Sequence, residues 1–219
     1  RMEREFVLNE PEMLFLAGYL RRLTSSDPAV AVRLDAQGAV IGIACAFVDP
    51  FIAFIALPLA ANCDEPITAV VAAGRLRDVI GDVRKRTGAT AIRLPDEVDI
   101  PAALLNLPPK DGWQPAFRAV AGDLSAKVDE QISAAQARAE LLPRALQPAV
   151  LREAWHQPDW SSLPRGVLHI ARELGFLNLA QAPVAASTNG PWKRLMTPMG
   201  QVFARADDGI ARLSVVRSR

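Results

Sequence analysis

The chain has 219 residues, of which half are hydrophobic and 22% are charged, and its formal net charge is +1. A chain of this length can bury enough apolar surface to fold without disulfides or metals, and its composition excludes a disordered protein, a coiled coil and a collagen-like fibre. No apolar run reaches the roughly 20 residues that span a bilayer, so we expect no transmembrane helix in this chain. We also expect no N-terminal signal peptide. Because it begins at Arg1 rather than Met, a membrane anchor upstream of it is left open.

The two cysteines, Cys45 and Cys63, lie in or beside apolar runs. Their spacing matches no zinc motif, and buried thiols are common in protein cores, so we predict two free thiols and no metal site. Low cysteine content favours a reducing, cytoplasmic setting. Arginine outnumbers lysine 21 to 4, a bias typical of high-GC bacterial genomes.

Charge is distributed unevenly along the chain. Residues 1–143 carry 15 basic and 19 acidic side chains, whereas residues 144–219 carry 10 basic and 5 acidic ones. A basic C-terminal third therefore follows a mildly acidic segment.

The first half of the chain alternates between strand and helix patterns. Asn9 precedes Pro11 and Glu12 in the form of a capped helix start, and Gly38 ends a turn-like segment, 35–38, between two apolar runs. A helix is expected to open at Asp64, because apolar residues recur at helical spacing from Ile67 onward. The predicted order is strand 5–8, helix 10–24, strands 29–34, 39–48 and 51–59, helix 64–86 and strand 89–94.

The second half begins with a proline-rich stretch, residues 95–123, which we predict to be irregular. Helices are expected after Asp123, near Pro148 and over 162–175, followed by strands at 184–188, 192–197, 201–206 and 210–216. The fold class predicted is α+β: a central, mostly antiparallel sheet with flanking helices, a helical middle segment and a C-terminal β-meander. We predict one domain, 1–219, with an alternative subdivision into 1–123 and 124–219.

The sequence lacks a nucleophile elbow, a phosphate-binding loop and a dinucleotide-binding glycine motif. His156 lies close to Asp159 and Ser161, but catalytic triads are assembled from distant segments. His169 falls among charged residues of its predicted helix, and we expect it to be solvated. The acidic run 96–99 lacks the spacing of a calcium loop. We therefore predict a protein that is not an enzyme and binds no cofactor.

The tryptophans and one arginine are the candidate partner-binding residues. Trp residues near loops and element ends, with Arg nearby, are typical of protein-binding surfaces, where these two residue types concentrate the binding energy. The same pattern also fits tryptophans that anchor loops on the core. The residues we select are Trp113, Trp155, Trp160, Trp192 and Arg194.

Two alternatives remain. The helices around residues 155–174, followed by a hairpin, have the order of a winged-helix nucleic-acid binder, with Arg165 and Arg172 on the second helix and Lys193, Arg194 and Arg205 on the wing. Interspersed acidic residues and the lack of base-reading side chains weigh against it. A small-molecule or lipid site between the apolar strands and the proline-rich segment is the second alternative.

The N-terminal segment EFVLNEPEMLFLAGYL, followed by PAVAVRL, resembles the opening of the actinobacterial type VII secretion chaperone family. The resemblance covers about 35 residues and implies an α/β sheet with flanking helices that binds protein clients without catalysis. It carries no site residue over to this chain. Together with the residues above, it predicts a protein-binding adaptor or chaperone-like factor of a high-GC bacterium, serving envelope transport or secretion machinery.

Overall fold

The computed structural model describes residues 4–48, 50–156 and 163–206. Its class is α+β, as predicted, with helix and strand in similar amounts. The chain forms two compact units, Arg1–Leu107 and Pro108–Arg219, whereas the sequence-based subdivision at residue 123 falls inside a helix. The elements of the described residues are β1 (Glu5–Val7), α1 (Glu10–Leu23), β2 (Ala31–Val48), β3 (Phe51–Ala72), α2 (Ala73–Lys85), β4 (Ala91–Arg93), β5 (Gln114–Val120), α3 (Ala121–Glu140), α4 (Gln147–His156), α5 (Arg165–Glu173), β6 (Pro183–Asn189), β7 (Trp192–Met196) and β8 (Gln201–Arg205).

The N-terminal strand and helix confirm the sequence pattern. β1 pairs antiparallel with β4, and the apolar stripe of α1 is buried, with Leu16 and Leu20 fully inaccessible to solvent. Asn9 occupies the position before the helix, and its carbonyl accepts from the Met13 amide at 3.0 Å. Its side chain makes no capping hydrogen bond, so that detail of the prediction is wrong.

β2 and β3 form one long antiparallel hairpin, in which Ala31 lies opposite Ala72 and Val48 opposite Phe51. The turn predicted at 35–38 is wrong, because β2 continues through it with local shifts of register. Gly38 has φ +58°, a backbone conformation that glycine adopts readily and that occurs in bulges of a strand as well as in turns. The local sequence could not distinguish the two, because the partner strand that keeps β2 extended lies elsewhere in the chain.

The helix predicted to open at Asp64 begins instead at Ala73. Residues 67–72 belong to β3, where Ile67 pairs with Ala36 and Val71 with Val32. A short apolar run rich in Val and Ile fits the periodicity of a helix and that of a strand. Here the pairing with β2 makes the segment a strand. The end of α2 agrees with the prediction, since Arg84 and Lys85 lie in its last turn.

The second unit contains the antiparallel strand order β8-β7-β6-β5. The first three strands of the predicted meander are confirmed, and the fourth, at 210–216, lies outside the described residues. Residues 95–123 are not irregular throughout, because 114–120 form β5. Pro115, which lacks an amide hydrogen, sits at an irregularity of the β5–β6 pairing, where strands tolerate proline.

The helices α3, α4 and α5 pack on one another, and α5 packs on β7 and β8. Apolar side chains of α5, including Val167 and Ile170, are fully buried. His169 is also buried, with its ring 5.4 Å from that of Trp155 and its Nε2 3.3 Å from Gln131 Oε1, so the expected solvated histidine is wrong. The charged residues of α5 alone predict that His169 is exposed. It is buried because α3, α4 and α5 pack together around it. In the described part of the chain, no helix is long and apolar enough to cross a membrane.

A candidate docking surface on the second unit

The sheet of the second unit has two chemically different faces. Ala186, Leu195 and Val202 are direct cross-strand neighbours, and all three are buried. Because successive side chains of a strand point to opposite faces, the intervening residues lie on the other face. Two rows cross that second face: Ser187, Arg194 and Phe203 form one, and Asn189, Trp192 and Arg205 form the other.

Trp113, which directly precedes β5, is held over this second face by its loop. Its indole Nε1 donates to the Pro109 carbonyl at 2.9 Å. The preceding Gly112 has φ +83°, a backbone conformation that glycine adopts most readily. Asn189 Nδ2 donates to the Asp111 carbonyl at 2.8 Å, which ties the loop to the end of β6. The indole is therefore placed by its own hydrogen bond to the loop and by the bond that ties the loop to β6.

Arg194 links this loop to the sheet. Its Cζ lies 4.4 Å from the centroid of the Trp113 ring, and its Nε donates to Ser187 Oγ at 2.9 Å. The Phe203 ring lies 5.6 Å from the Trp113 ring at an angle of 50°. Burial lowers the pKa of the Arg194 guanidinium, which nevertheless stays protonated at neutral pH. A cation is thus held in a fixed orientation between an aromatic ring and a hydroxyl.

The neighbouring row repeats the arrangement. Arg205 Cζ lies 5.6 Å from the centroid of the Trp192 ring, and Arg205 is exposed. In the part of the chain that the structure describes, neither Arg194 nor Arg205 forms an ion pair with a carboxylate. We name these residues the Trp–Arg cluster: Trp113, Ser187, Trp192, Arg194, Phe203 and Arg205. Ser187 and Phe203 are buried, the two tryptophans and Arg194 are partly exposed, and Arg205 is exposed.

The turn between β7 and β8 sets the register that brings the rows together. Thr197 Oγ1 accepts from the Gly200 amide at 3.1 Å and donates to the Gly200 carbonyl at 2.8 Å, and both residues are buried. A Cβ at Gly200 would lie 2.4 Å from the Phe176 ring, so a larger residue there would force this ring to move. The turn therefore sets the register in which Arg194 lies opposite Phe203 and Trp192 lies opposite Arg205.

Of the five residues selected from the sequence, the structure brings three together: Trp113, Trp192 and Arg194. Trp155 lies instead in the helical layer against His169. Trp160 lies outside the described residues.

Ser187, Phe203 and Arg205 were not selected from the sequence as partner-binding residues. The sequence did contain a signal for Phe203 and Arg205. Trp192, Arg194 and Met196 alternate along one strand, and a hairpin turn at Thr197–Gly200 places Phe203 opposite Arg194 and Arg205 opposite Trp192.

The other candidate sites are weaker. Glu97 of the acidic segment 96–99 pairs with Arg4 at 2.9 Å, and the Val98 amide donates to the Val70 carbonyl, so contacts within the fold hold this segment. Among the described residues, no three His, Cys, Asp or Glu side chains are grouped to hold a metal ion. Cys45 and Cys63 are free thiols, of which Cys45 is buried and Cys63 is only partly buried.

An open groove of about 940 Å³ lies in the first unit, between α2, β4 and residues 94–98. Arginines and carboxylates contribute much of its lining: Glu5, Arg75, Asp82, Arg86, Arg93, Asp96 and Glu97. Ligand and lipid sites are predominantly apolar with a few polar groups, so this mixed-charge groove does not favour a lipid.

Comparison with known proteins gives a family match for the second unit. A family model described as a domain of unknown function, DUF8185, matches residues 108–209. The match begins where the second compact unit begins, which supports Pro108–Arg219 as a unit of its own. No curated protein sequence matches the chain.

Solved structures of bacterial sliding clamps have a similar fold. The DNA polymerase sliding clamp of Pseudomonas aeruginosa matches with a TM-score of 0.55 at 12% identity, over 94% of this chain and 65% of that one. The β sliding clamp of C. crescentus matches with a TM-score of 0.58 at 12% identity, over 94% and 65%. The DNA polymerase III subunit β of Borrelia burgdorferi matches with 0.57 at 6% identity, over 93% and 64%.

At these identities the likeness shows the fold alone, and the chain spans about 65% of the length of these clamps. The protein therefore has a sliding-clamp-like α+β fold. These matches do not test the resemblance to the type VII secretion chaperones, which stays a prediction.

Proposed function

We propose that this protein is a non-enzymatic, protein-binding scaffold and that the Trp–Arg cluster is its docking surface. The observation that carries the proposal is a pair of arginines, each with its guanidinium over a tryptophan ring and with no carboxylate partner among the described residues. Trp and Arg dominate the energetics of protein interfaces, and stacking holds a guanidinium in place before a partner arrives. The surface is therefore preorganised for binding.

The similarity in fold supports the same proposal. The matched structures are named as sliding clamps or as a subunit of DNA polymerase III, and a subunit is by definition part of a larger assembly. We extend this role by analogy from the matched structures to the present chain, whose sequence identity to them is low. We also propose that the protein acts in the cytoplasm, a setting that free thiols favour, and that it serves envelope transport or secretion machinery.

Charge on the helices favours a protein partner over a nucleic acid. Within the described residues, the five helices carry 11 basic and 10 acidic side chains, so their net charge is only +1 and they offer little positive charge to phosphates. Within α3 the acidic side chains Asp123, Asp129, Glu130 and Glu140 outnumber the basic Lys127 and Arg138. In addition, β6, β7 and β8 belong to a larger sheet with β5, rather than to the two-stranded wing of the winged-helix alternative.

The test is affinity capture of the tagged full-length protein from its own organism, with and without nuclease. We expect a stoichiometric protein partner that survives nuclease and is lost with the double substitution Trp192→Ala and Arg205→Ala. Arg144→Ala is the matched control, because Arg144 is exposed and lies outside the cluster. Recovery of no specific protein, or recovery that nuclease abolishes, would overturn the proposal.

A further inference from the structure

The two arginines of the Trp–Arg cluster have Cα positions at a definite spacing in the sheet. Arg194 on β7 lies opposite Phe203 on β8, and Arg205 lies two residues further along β8 on the same face. The two arginines are thus diagonal cross-strand neighbours, for which the Cα separation is about 7–8 Å. Their positions are set by the sheet, so the spacing is a property of the fold.

Each guanidinium also has donors left for a ligand. Arg194 uses Nε to bind Ser187, and no other hydrogen bond of its guanidinium occurs among the described residues, so its terminal amino groups can face a ligand. Arg205 rests on Trp192 and is exposed. A planar guanidinium held in this way matches a carboxylate with two parallel hydrogen bonds.

An extended peptide offers carboxylates at the required spacing. Side chains two residues apart point to the same face of a strand and are separated by about 6.6 Å. This is close to the Cα separation of the two arginines, whereas adjacent side chains point to opposite faces. A segment with acidic residues at alternate positions can therefore engage both guanidinium groups at once.

We propose that the Trp–Arg cluster binds an extended, acidic segment of a partner protein in which two Asp or Glu residues are separated by one residue. Arg194 takes one carboxylate and Arg205 takes the other, while the tryptophan rings hold the two cations. The inference rests on the proposed scaffold function and names the chemistry of the partner that this surface recognises.

Single-stranded nucleic acid is the competing anion, and the ring geometry disfavours it. Proteins that bind single strands stack bases on open aromatic faces. Here Arg194 covers one face of Trp113, Phe203 packs beside the same ring, and Arg205 covers one face of Trp192. The rings are used to hold arginines, which suits discrete carboxylates better than a stack of bases.

The experiment compares two fluorescently labelled peptides of identical composition by polarisation with the purified full-length chain. Thr-Val-Glu-Thr-Glu-Val-Thr has its glutamates at alternate positions, and Thr-Val-Glu-Glu-Thr-Val-Thr has them adjacent. We expect the first to bind about tenfold tighter, because only it engages both charge-assisted hydrogen-bonded pairs. Inorganic phosphate and a twelve-residue oligothymidylate are the other probes.

Variants assign the effect to the cluster. Arg205→Gln and Arg194→Gln are each expected to weaken the alternate-acid peptide about tenfold and to remove the preference over the adjacent-acid peptide. Arg144→Gln, which removes the same charge elsewhere, should leave both affinities unchanged. Because Arg205 is exposed, its variant keeps the test valid if Arg194→Gln does not fold.

Four results would overturn the inference: equal binding of the two peptides, equal weakening by Arg144→Gln, tighter binding of the oligothymidylate through the same arginines, or no peptide binding. If a partner is still captured through Trp192 and Arg205 while the peptides show no preference, the scaffold function stands and only the acidic recognition fails. If no partner is captured at all, the scaffold function itself fails.

Discussion

Arg194 lies over the ring of Trp113 with its Cζ 4.4 Å from the ring centroid, although strand β6 separates β7 from β5. The arginine crosses the intervening strand by bonding to its Ser187 hydroxyl at 2.9 Å. The pair therefore connects the loop before β5 with the centre of the sheet. It organises the surface that we assign to partner binding and contributes to the stability of the unit.

The first prediction concerns this pair. Arg194→Lys keeps the charge but removes the Nε donor and the planar stack, so we expect a loss of about 1–2 kcal/mol in the free energy of unfolding. Ser187→Ala should cost about 1 kcal/mol, and the double variant should cost less than the sum of the two. Urea unfolding of the four chains gives this cycle. Strict additivity would show that the hydrogen bond between Arg194 and Ser187 contributes nothing.

The second prediction concerns the β7–β8 turn. Gly200→Ala places a Cβ 2.4 Å from the Phe176 ring, and we expect a loss of about 1–3 kcal/mol. Gly81→Ala in α2 is the matched control, because a Cβ there meets nothing within 4 Å. Alanine is the better helix former, so this variant should gain about 0.5–1 kcal/mol. Thermal unfolding compares them, and equal melting temperatures would contradict the role given to Gly200.

The third prediction concerns the thiols. Burial raises the pKa of the Cys45 thiol to about 12, whereas Cys63 is only partly buried and its Sγ lies 3.0 Å from the Glu65 carbonyl oxygen. The thiolate is the reactive form. A disulfide reagent at pH 8 should therefore modify Cys63 in the folded chain and both cysteines in denaturant. Rapid modification of Cys45 without denaturant would be inconsistent with its burial.

The fourth prediction follows from the direction in which burial shifts the pKa of Cys45. The pKa of Cys45 rises from 9.0 in the reference state to about 12, so the folded chain holds a proton that the unfolded chain releases at high pH. Its contribution to stability is full below about pH 9 and is lost as the pH rises toward 12. Burial also raises the pKa of Tyr19, which adds to the same trend.

The measurement for this fourth prediction is urea unfolding at pH 8 and pH 10. The free energy of unfolding should fall less steeply with pH in Cys45→Ala than in the unsubstituted chain, whatever the absolute stability of the variant. An unchanged slope in Cys45→Ala would show that this thiol does not control the alkaline loss.

The fifth prediction concerns the helical layer. His169 is buried against Trp155 and Gln131, so His169→Ala should cost about 2–4 kcal/mol through the space that it leaves. Arg172→Ala on the same helix removes a partly exposed ion pair with Asp129 and should cost about 0–1 kcal/mol. Chemical unfolding of both variants provides the comparison. Similar losses would favour the exposed His169 that the sequence suggested.

Local signals were sufficient where an element is defined by its own residues. The first strand and helix, the helix after residue 120, the helix over 165–173 and the strands β6 to β8 all follow from periodicity and from glycine and proline in the turns. The tryptophans and Arg194 could likewise be selected as surface candidates from their residue types. Their convergence could not, because Trp113 and Arg194 meet across a third strand.

The sequence by itself determined the α+β class, the C-terminal meander and the residue types that a protein-binding surface needs. Tertiary structure alone decided that residues 31–48 stay in one strand, that 67–72 extend a strand instead of opening a helix, and that His169 is buried. The physical reason is the same in each case. Strand pairing and burial are contacts between distant parts of the chain, and their free energy overrides local preferences that differ by only about 1 kcal/mol.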